Sequence, residues 1–257
     1  MPRPLTFFLL ALMTVLIVVG TLFPAAWLSP LIQRQTAGKV ALGDPDGSIW
    51  KGCATPGDPT LVEGKIVPFL AGRFCWQLSP LLLIGRLKLT LDNALVLAAP
   101  VELEGTWPLL RISAGSLRAP ASSLTPLGAP FNTVNTTGQL RLSWDAIELA
   151  TNTRVPDIRG NIRLDMTNIS SSLSAVKPLG SYQLQLLMQG QRTKITLQSS
   201  AGPLRLNGTG SIAGKRVSFS GQGEADTSAE RQLIPLLAML GRPLPLANKK
   251  IFQIEIK

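Results

Sequence analysis

The chain has 257 residues, of which 45% are hydrophobic and only 16% charged, and its 25 Lys and Arg against 15 Asp and Glu leave a net charge of +10. That apolar content excludes a disordered chain. The complete absence of histidine removes the commonest general base and metal ligand, and two cysteines alone cannot build a structural zinc site.

The first predicted element is an uncharged run of 19 residues, Leu5 to Phe23. At about 1.5 Å rise per residue, roughly 20 apolar residues cross a ~30 Å hydrocarbon core, and lipid forces the backbone into a helix. A cleaved signal peptide has a shorter core, about 7–15 residues, with a small-residue cleavage site. Pro24-Ala25-Ala26-Trp27-Leu28 is a poor one, so the run is expected to remain as an anchor. Arg3 and the α-amino group mark the side that stays in the cytoplasm, which predicts a single-pass inner-membrane protein with its remaining residues in the periplasm. Trp27 suits the outer interface. In that oxidising compartment Cys53 and Cys75 are expected to form a disulfide; the alternative is two buried free thiols.

Residues 24–40 read as a juxtamembrane connector interrupted by Pro24 and Pro30. Beyond it the hydrophobic period becomes two. Asp44-Pro45-Asp46-Gly47 carries a turn signature, and Thr55-Pro56-Gly57-Asp58-Pro59 reads as a loop. Gly85-Arg86-Leu87-Lys88-Leu89-Thr90-Leu91 is the most regular strand, with leucine at odd positions and polar residues at even ones. Asp92-Asn93 turns the chain and Ala94–Ala98 returns it. The alternation continues at Val101–Glu104, Leu110–Ser113, Gly138–Trp144 and Gly160–Met166, with a Pro/Ser-rich crossing between Ala119 and Pro130. Gly180–Leu186 pairs with Thr193–Leu197 across a turn near Gly190. Gly202–Leu206, Gly210–Gly214 and Val217–Gly221 complete five short glycine-bounded strands of an antiparallel meander. Thr227-Ser228-Ala229-Glu230 is a capping-box signature opening a helix that contains Pro235 and stops at Gly241, and Phe252–Lys257 is a last strand.

The expected fold is therefore all-β: one N-terminal transmembrane helix, then a large antiparallel sheet, either curved or split into two layers, with one short helix near the C-terminus. The domain reading is a cytoplasmic tip at 1–4, an anchor at 5–23, the connector at 24–40 and a periplasmic β domain at 41–257, with a possible sub-boundary near 119–137.

Enzyme signatures are thin. Ser174-Ala175-Val176-Lys177 matches S-x-x-K, but its companion motifs are missing and Pro178 follows directly, so it reads as a chance match in a loop. Glu102 and Glu104 lie on one side of a strand and read as a solvated pair rather than an acid/base couple. The expectation is a protein that is not an enzyme, with no cofactor and no metal. Arg86, Lys88, Arg141, Arg163, Lys194 and Arg205 all fall on the polar phase of their strands. Were those strands neighbours, they would form a cationic face for anionic lipid or an acidic partner; the alternative is a plain solvated surface. Nucleic acid is not expected, given the anchor, the single tyrosine and the lack of any basic helix.

Specific residues resemble one family. Phe74-Cys75-Trp76-Gln77-Leu78-Ser79-Pro80, continuing to Gly85-Arg86-Leu87, is similar to the W-x-L-x-P…L-x-G-x-L signature of type II secretion system protein N, and Gly47-Ser48-Ile49-Trp50-Lys51-Gly52 resembles its G-T-L-W-x-G segment. Gly138–Trp144, Leu179–Tyr182, Gly202–Gly210 and Leu236–Arg242 follow in family order. The resemblance implies an accessory inner-membrane subunit of the general secretion pathway. Its periplasmic domain would contact inner-membrane platform or secretin components while folded proteins cross the outer membrane. It supplies no catalytic residue and does not itself carry the cysteine pair. The competing expectation is a membrane-anchored periplasmic protein that binds lipid or another apolar ligand on its sheet.

Overall fold

The computed structural model describes residues 7, 13–14, 23–62, 65–127, 134–151, 156–214, 216–244 and 251–256. The anchor expected over 5–23 thus lies outside the described residues, apart from Phe23 and the helical positions Phe7, Met13 and Thr14. Among the described residues no helix is long and apolar enough to cross a membrane.

Among the described residues seventeen strands form one sheet, and every pairing is antiparallel. Of the two expected arrangements, the single sheet is the one formed. The chain enters through a 3-10 turn, Ala25–Trp27, and a helix α1 (Leu28–Gln35), then β1 (Ala41–Gly47), β2 (Lys51–Val62), β3 (Lys65–Pro68) and β4 (Phe74–Leu78). A second 3-10 turn, Pro80–Ile84, leads to β5 (Arg86–Asp92), β6 (Val101–Thr106), β7 (Leu109–Ile112) and β8 (Gly115–Pro120). After the 3-10 turn Ala121–Leu127 come β9 (Thr137–Trp144), β10 (Ile147–Ala150), β11 (Asp157–Ser170), β12 (Gly180–Gly190), β13 (Arg192–Ala201), β14 (Leu204–Ala213) and β15 (Arg216–Ala225). Helix α2 (Glu230–Leu240), β16 (Arg242–Leu244) and β17 (Ile251–Ile256) close the described chain.

The order is that of a meander. β1, β2, β4, β5, β6 and β7 lie side by side, with β3 also on β2. β7 and β8 behave as one kinked strand against β10 and β9, held in an unbroken register from Leu109↔Ala150 to Pro120↔Gln139. At the kink the Trp144 Nε1–H donates to the Ser113 carbonyl at 2.9 Å, and the indole lies against Gly115, where a Cβ would meet its Cζ2 at 2.6 Å. β11 to β15 and then β17 continue the series.

Period-two alternation survives in the register. One face carries the pairs Leu89↔Leu103, Leu103↔Ile112, Leu164↔Leu184 and Leu184↔Leu197. These side chains are half-buried rather than buried. Burial is deepest at one end, where α2 lays Leu233 and Leu237 on Leu204 and Phe252, and where Leu179 and Ala229 complete the cluster. Leu233 and Leu237 are the largest fully buried side chains described.

Several expectations are corrected. Asp44-Pro45-Asp46-Gly47 is not a turn but the end of β1: the register slips between Gly43 and Asp46, and Asp44 takes φ 46° within that bulge. The chain reverses at Ser48–Trp50 instead. Thr55–Pro59 is strand, not loop. Its Pro59 falls in the irregular stretch between Asp58 and Val62, where a missing N–H breaks no regular ladder bond. Gly202–Leu206 and Gly210–Gly214 are not two strands. Most of both lies in the single ten-residue β14, whose inner glycines Gly208 and Gly210 leave room for the Phe219 ring of β15. Ala94–Ala98 does not fold back on β5; Val96 and Ala98 bond to β8. The capping box does not form either: α2 starts after Ala229 with no side-chain cap, and the Thr227 N–H donates to Asp226 at 2.8 Å. α1 is an unexpected helix, since Pro30 sits in its first turn, where its lack of an N–H costs nothing.

Candidate interaction surfaces

Cys53 of β2 stands directly opposite Cys75 of β4, and the two form a disulfide. No free cysteine remains among the described residues. The bond closes a separation of 22 residues around β3, a loop whose entropy corresponds to about 3 kcal/mol in the chain-entropy account. Beside it, Trp76 Nε1 donates to the Ile49 carbonyl at 3.0 Å, tying β4 to the reversal between β1 and β2.

The polar face shows how register decides electrostatics. Lys88 faces Glu104, Glu104 faces Arg111, Arg111 faces Glu148, and Glu148 faces Arg159. Five strands thus carry charges of alternating sign. Arg111 and Glu148 approach to 3.4 Å with side chains 58% and 46% exposed, so the pair adds at most about 1 kcal/mol. The uniform cationic face expected from Arg86, Lys88, Arg141, Arg163, Lys194 and Arg205 is therefore not formed. All six are exposed, but Asp165 faces Arg141 and Glu224 faces Arg205. Arg163 lies between Ser143 and Gln185, Lys194 between Leu187 and Ser211, and Arg86 opposite Thr106. Glu102 and Glu104 share one exposed side, as the alternation requires.

Ser174 and Lys177 are not on a helix. The Ser174 hydroxyl accepts the Val176 N–H at 3.1 Å in a turn, and Lys177 is exposed. Among the described residues no group of three or more His, Cys, Asp or Glu is placed to hold a metal. Two titratable groups sit in unusual surroundings. Asp58 accepts the Thr60 hydroxyl at 2.6 Å and the Thr60 N–H at 2.7 Å, and these bonds hold its carboxyl below the usual aspartate range. Burial pushes the Tyr182 hydroxyl well above its ordinary value, and that hydroxyl donates to the Leu204 carbonyl at 3.0 Å. Neither lies in a cluster of reactive side chains.

The profile of the Type II secretion system (T2SS), protein N family matches residues 38–245. The chain belongs to that family. The match runs from just before β1 to just past β16, so it takes in nearly the whole sheet of this protein N family member. No curated protein matches it significantly, and no solved structure does. The resemblance first carried by Trp76, Leu78, Pro80 and Gly85 now has a structural meaning. Trp76 locks β4 to the β1–β2 reversal, Ser79 accepts the Leu81 N–H at the start of the 3-10 turn, and Gly85 ends that turn at φ 80°. Those motif residues shape one end of the sheet.

Proposed function

We propose that the protein is an accessory inner-membrane subunit of the type II secretion system, anchored by residues 5–23 with its β domain in the periplasm. In this reading the domain makes protein–protein contacts with platform or secretin components and performs no chemistry of its own. The observation that carries it is the protein N family match across nearly the whole sheet. The uncharged run at 5–23 supports tethering, and the Cys53–Cys75 bond supports an oxidising compartment. The alternating ladder from Lys88 to Arg159 supports a partner surface, because alternating charges discriminate between partners more than they add affinity. The test is deletion of the gene. Folded exoproteins should accumulate in the periplasm while growth is normal, and a surface charge reversal such as Arg111→Glu should weaken crosslinking to the contacted subunit. Secretion that is unaffected by deletion refutes the reading.

A second reading, a membrane-anchored periplasmic protein that binds lipid or an apolar ligand, is favoured by one observation. The leucine face from Leu89 through Leu103, Leu164 and Leu184 to Leu197 is continuous, and these side chains keep part of their surface accessible. Mass spectrometry of lipids that co-purify with the protein separates the two.

A further inference from the structure

We infer that one end of the sheet docks on an anionic lipid surface, through the 3-10 turn Pro80–Ile84 and the β6–β7 turn. The inference rests on the tethered reading only for where the bilayer lies.

The strand directions define this end. β6 finishes at Thr106, opposite Arg86 where β5 begins, so the turn that precedes β5 and the turn that follows β6 emerge side by side. On them Leu83 is 78% exposed, Ile84 71%, Trp107 75% and Leu109 52%. Leu81 and Leu109 line one shallow depression with Arg86 and Arg111. Four large apolar side chains held this far into solvent on two adjacent turns are uncommon on a surface that faces only water. An aromatic ring beside leucines and guanidinium groups is the composition of a membrane–water interface.

Two further observations name the occupant. First, the chain enters the sheet at this same end. Phe23 accepts the Ile49 N–H at 2.9 Å, Pro24 bridges to Ser48, and the Leu78 N–H at the root of the 3-10 turn donates to Trp50. The uncharged run 5–23 therefore terminates on the face from which these side chains project. Second, cations collect there. Of the six strands that start at this end, β2, β5, β7, β11, β13 and β15, four open on exposed Lys51, Arg86, Arg192 and Arg216, against one opening acid, Asp157. At the opposite end, α2 covers the tips of β14, β15 and β17. Apolar insertion flanked by strand-opening cations matches the order of an anionic bilayer, acyl chains beneath phosphates.

The test uses the full chain reconstituted in vesicles of phosphatidylethanolamine and phosphatidylglycerol. Leu83→Cys and Met239→Cys each add one thiol for an environment-sensitive fluorophore, the native pair being disulfide-bonded. Met239 is as exposed as Leu83 but sits on α2 at the other end. At Leu83 the emission should shift to the blue, be quenched by doxyl-labelled lipid and be shielded from aqueous iodide, whereas the label at Met239 should show the reverse. Equal, water-like behaviour at both positions overturns the inference. So does shielding from iodide without quenching by lipid, which would mean contact between copies. Trp107→Cys is a second position should Leu83→Cys fold poorly. Carbonate extraction of the same vesicles reports the anchor separately: protein released by carbonate while its Leu83 label remains lipid-quenched would end the anchored reading and leave the docking surface standing.

Discussion

Tyr182 is the only tyrosine in the chain, which makes its environment directly measurable. Its ring is buried and its hydroxyl donates to the buried Leu204 carbonyl at 3.0 Å. Tyr182→Phe removes that donor while keeping the ring. A typical hydrogen bond contributes about 0.5–1.5 kcal/mol net, and a buried acceptor left without its partner costs about 1–3 kcal/mol, so a loss of about 1–2 kcal/mol is expected. The pH dependence has a definite sign. The hydroxyl is held protonated in the folded state, so its contribution is full below the unfolded value of about 10 and declines above it by about 1.4 kcal/mol per pH unit. Denaturant unfolding with circular dichroism measures the first effect. Phenolate absorbance during alkaline titration measures the second, and here it reports a single residue. Absorbance should not rise near pH 10 but only together with the loss of ellipticity. A phenolate transition centred near pH 10 with the fold intact, or a Tyr182→Phe variant as stable as the parent, would refute the reasoning.

Further outcomes follow from the same structure. Leu233→Ala should cost about 2–5 kcal/mol by opening a cavity under α2, whereas Met239→Ala on the same helix should change the urea midpoint little. Replacing Cys53 and Cys75 together by Ser should lower stability by about 2–4 kcal/mol, and a parent mass unchanged by alkylation without reductant should gain two alkyl groups after reduction. Asp58 has a depressed folded value, so its contribution is present above the unfolded value of about 4 and is lost as pH falls through the folded one. Asp58→Asn should therefore flatten the acid limb of a stability-against-pH curve, and an unchanged acid limb would show that the Thr60 bonds contribute nothing.

Strands such as β5 and β13 could be read locally, because leucine or isoleucine alternating with polar residues in Leu87–Leu91 and Lys194–Leu197 has one satisfactory conformation at an apolar boundary. The bridge was legible too, through compartment chemistry rather than geometry. Other signals misled because their meaning depends on a neighbour. Pro59 looks like a breaker, yet it falls where β2 has no regular ladder bond to lose. Gly208 and Gly210 look like turn glycines until Phe219 is placed against them. A capping box is only a sequence pattern until the chain before it takes the required angle, and at Ala229 it does not.

The residue pattern alone determined that this chain is β-rich, which phase of its regularly alternating strands faces apolar surroundings, and which family it resembles. Period and composition act within a few residues, so no partner need be known. The tertiary structure decided what those faces are. Register set Lys88, Arg141 and Arg205 against Glu104, Asp165 and Glu224, and strand direction gathered Leu83, Ile84, Trp107 and the point of chain entry at one end. Side-chain period says which face a residue is on. Only the pairing of distant strands says what stands beside it.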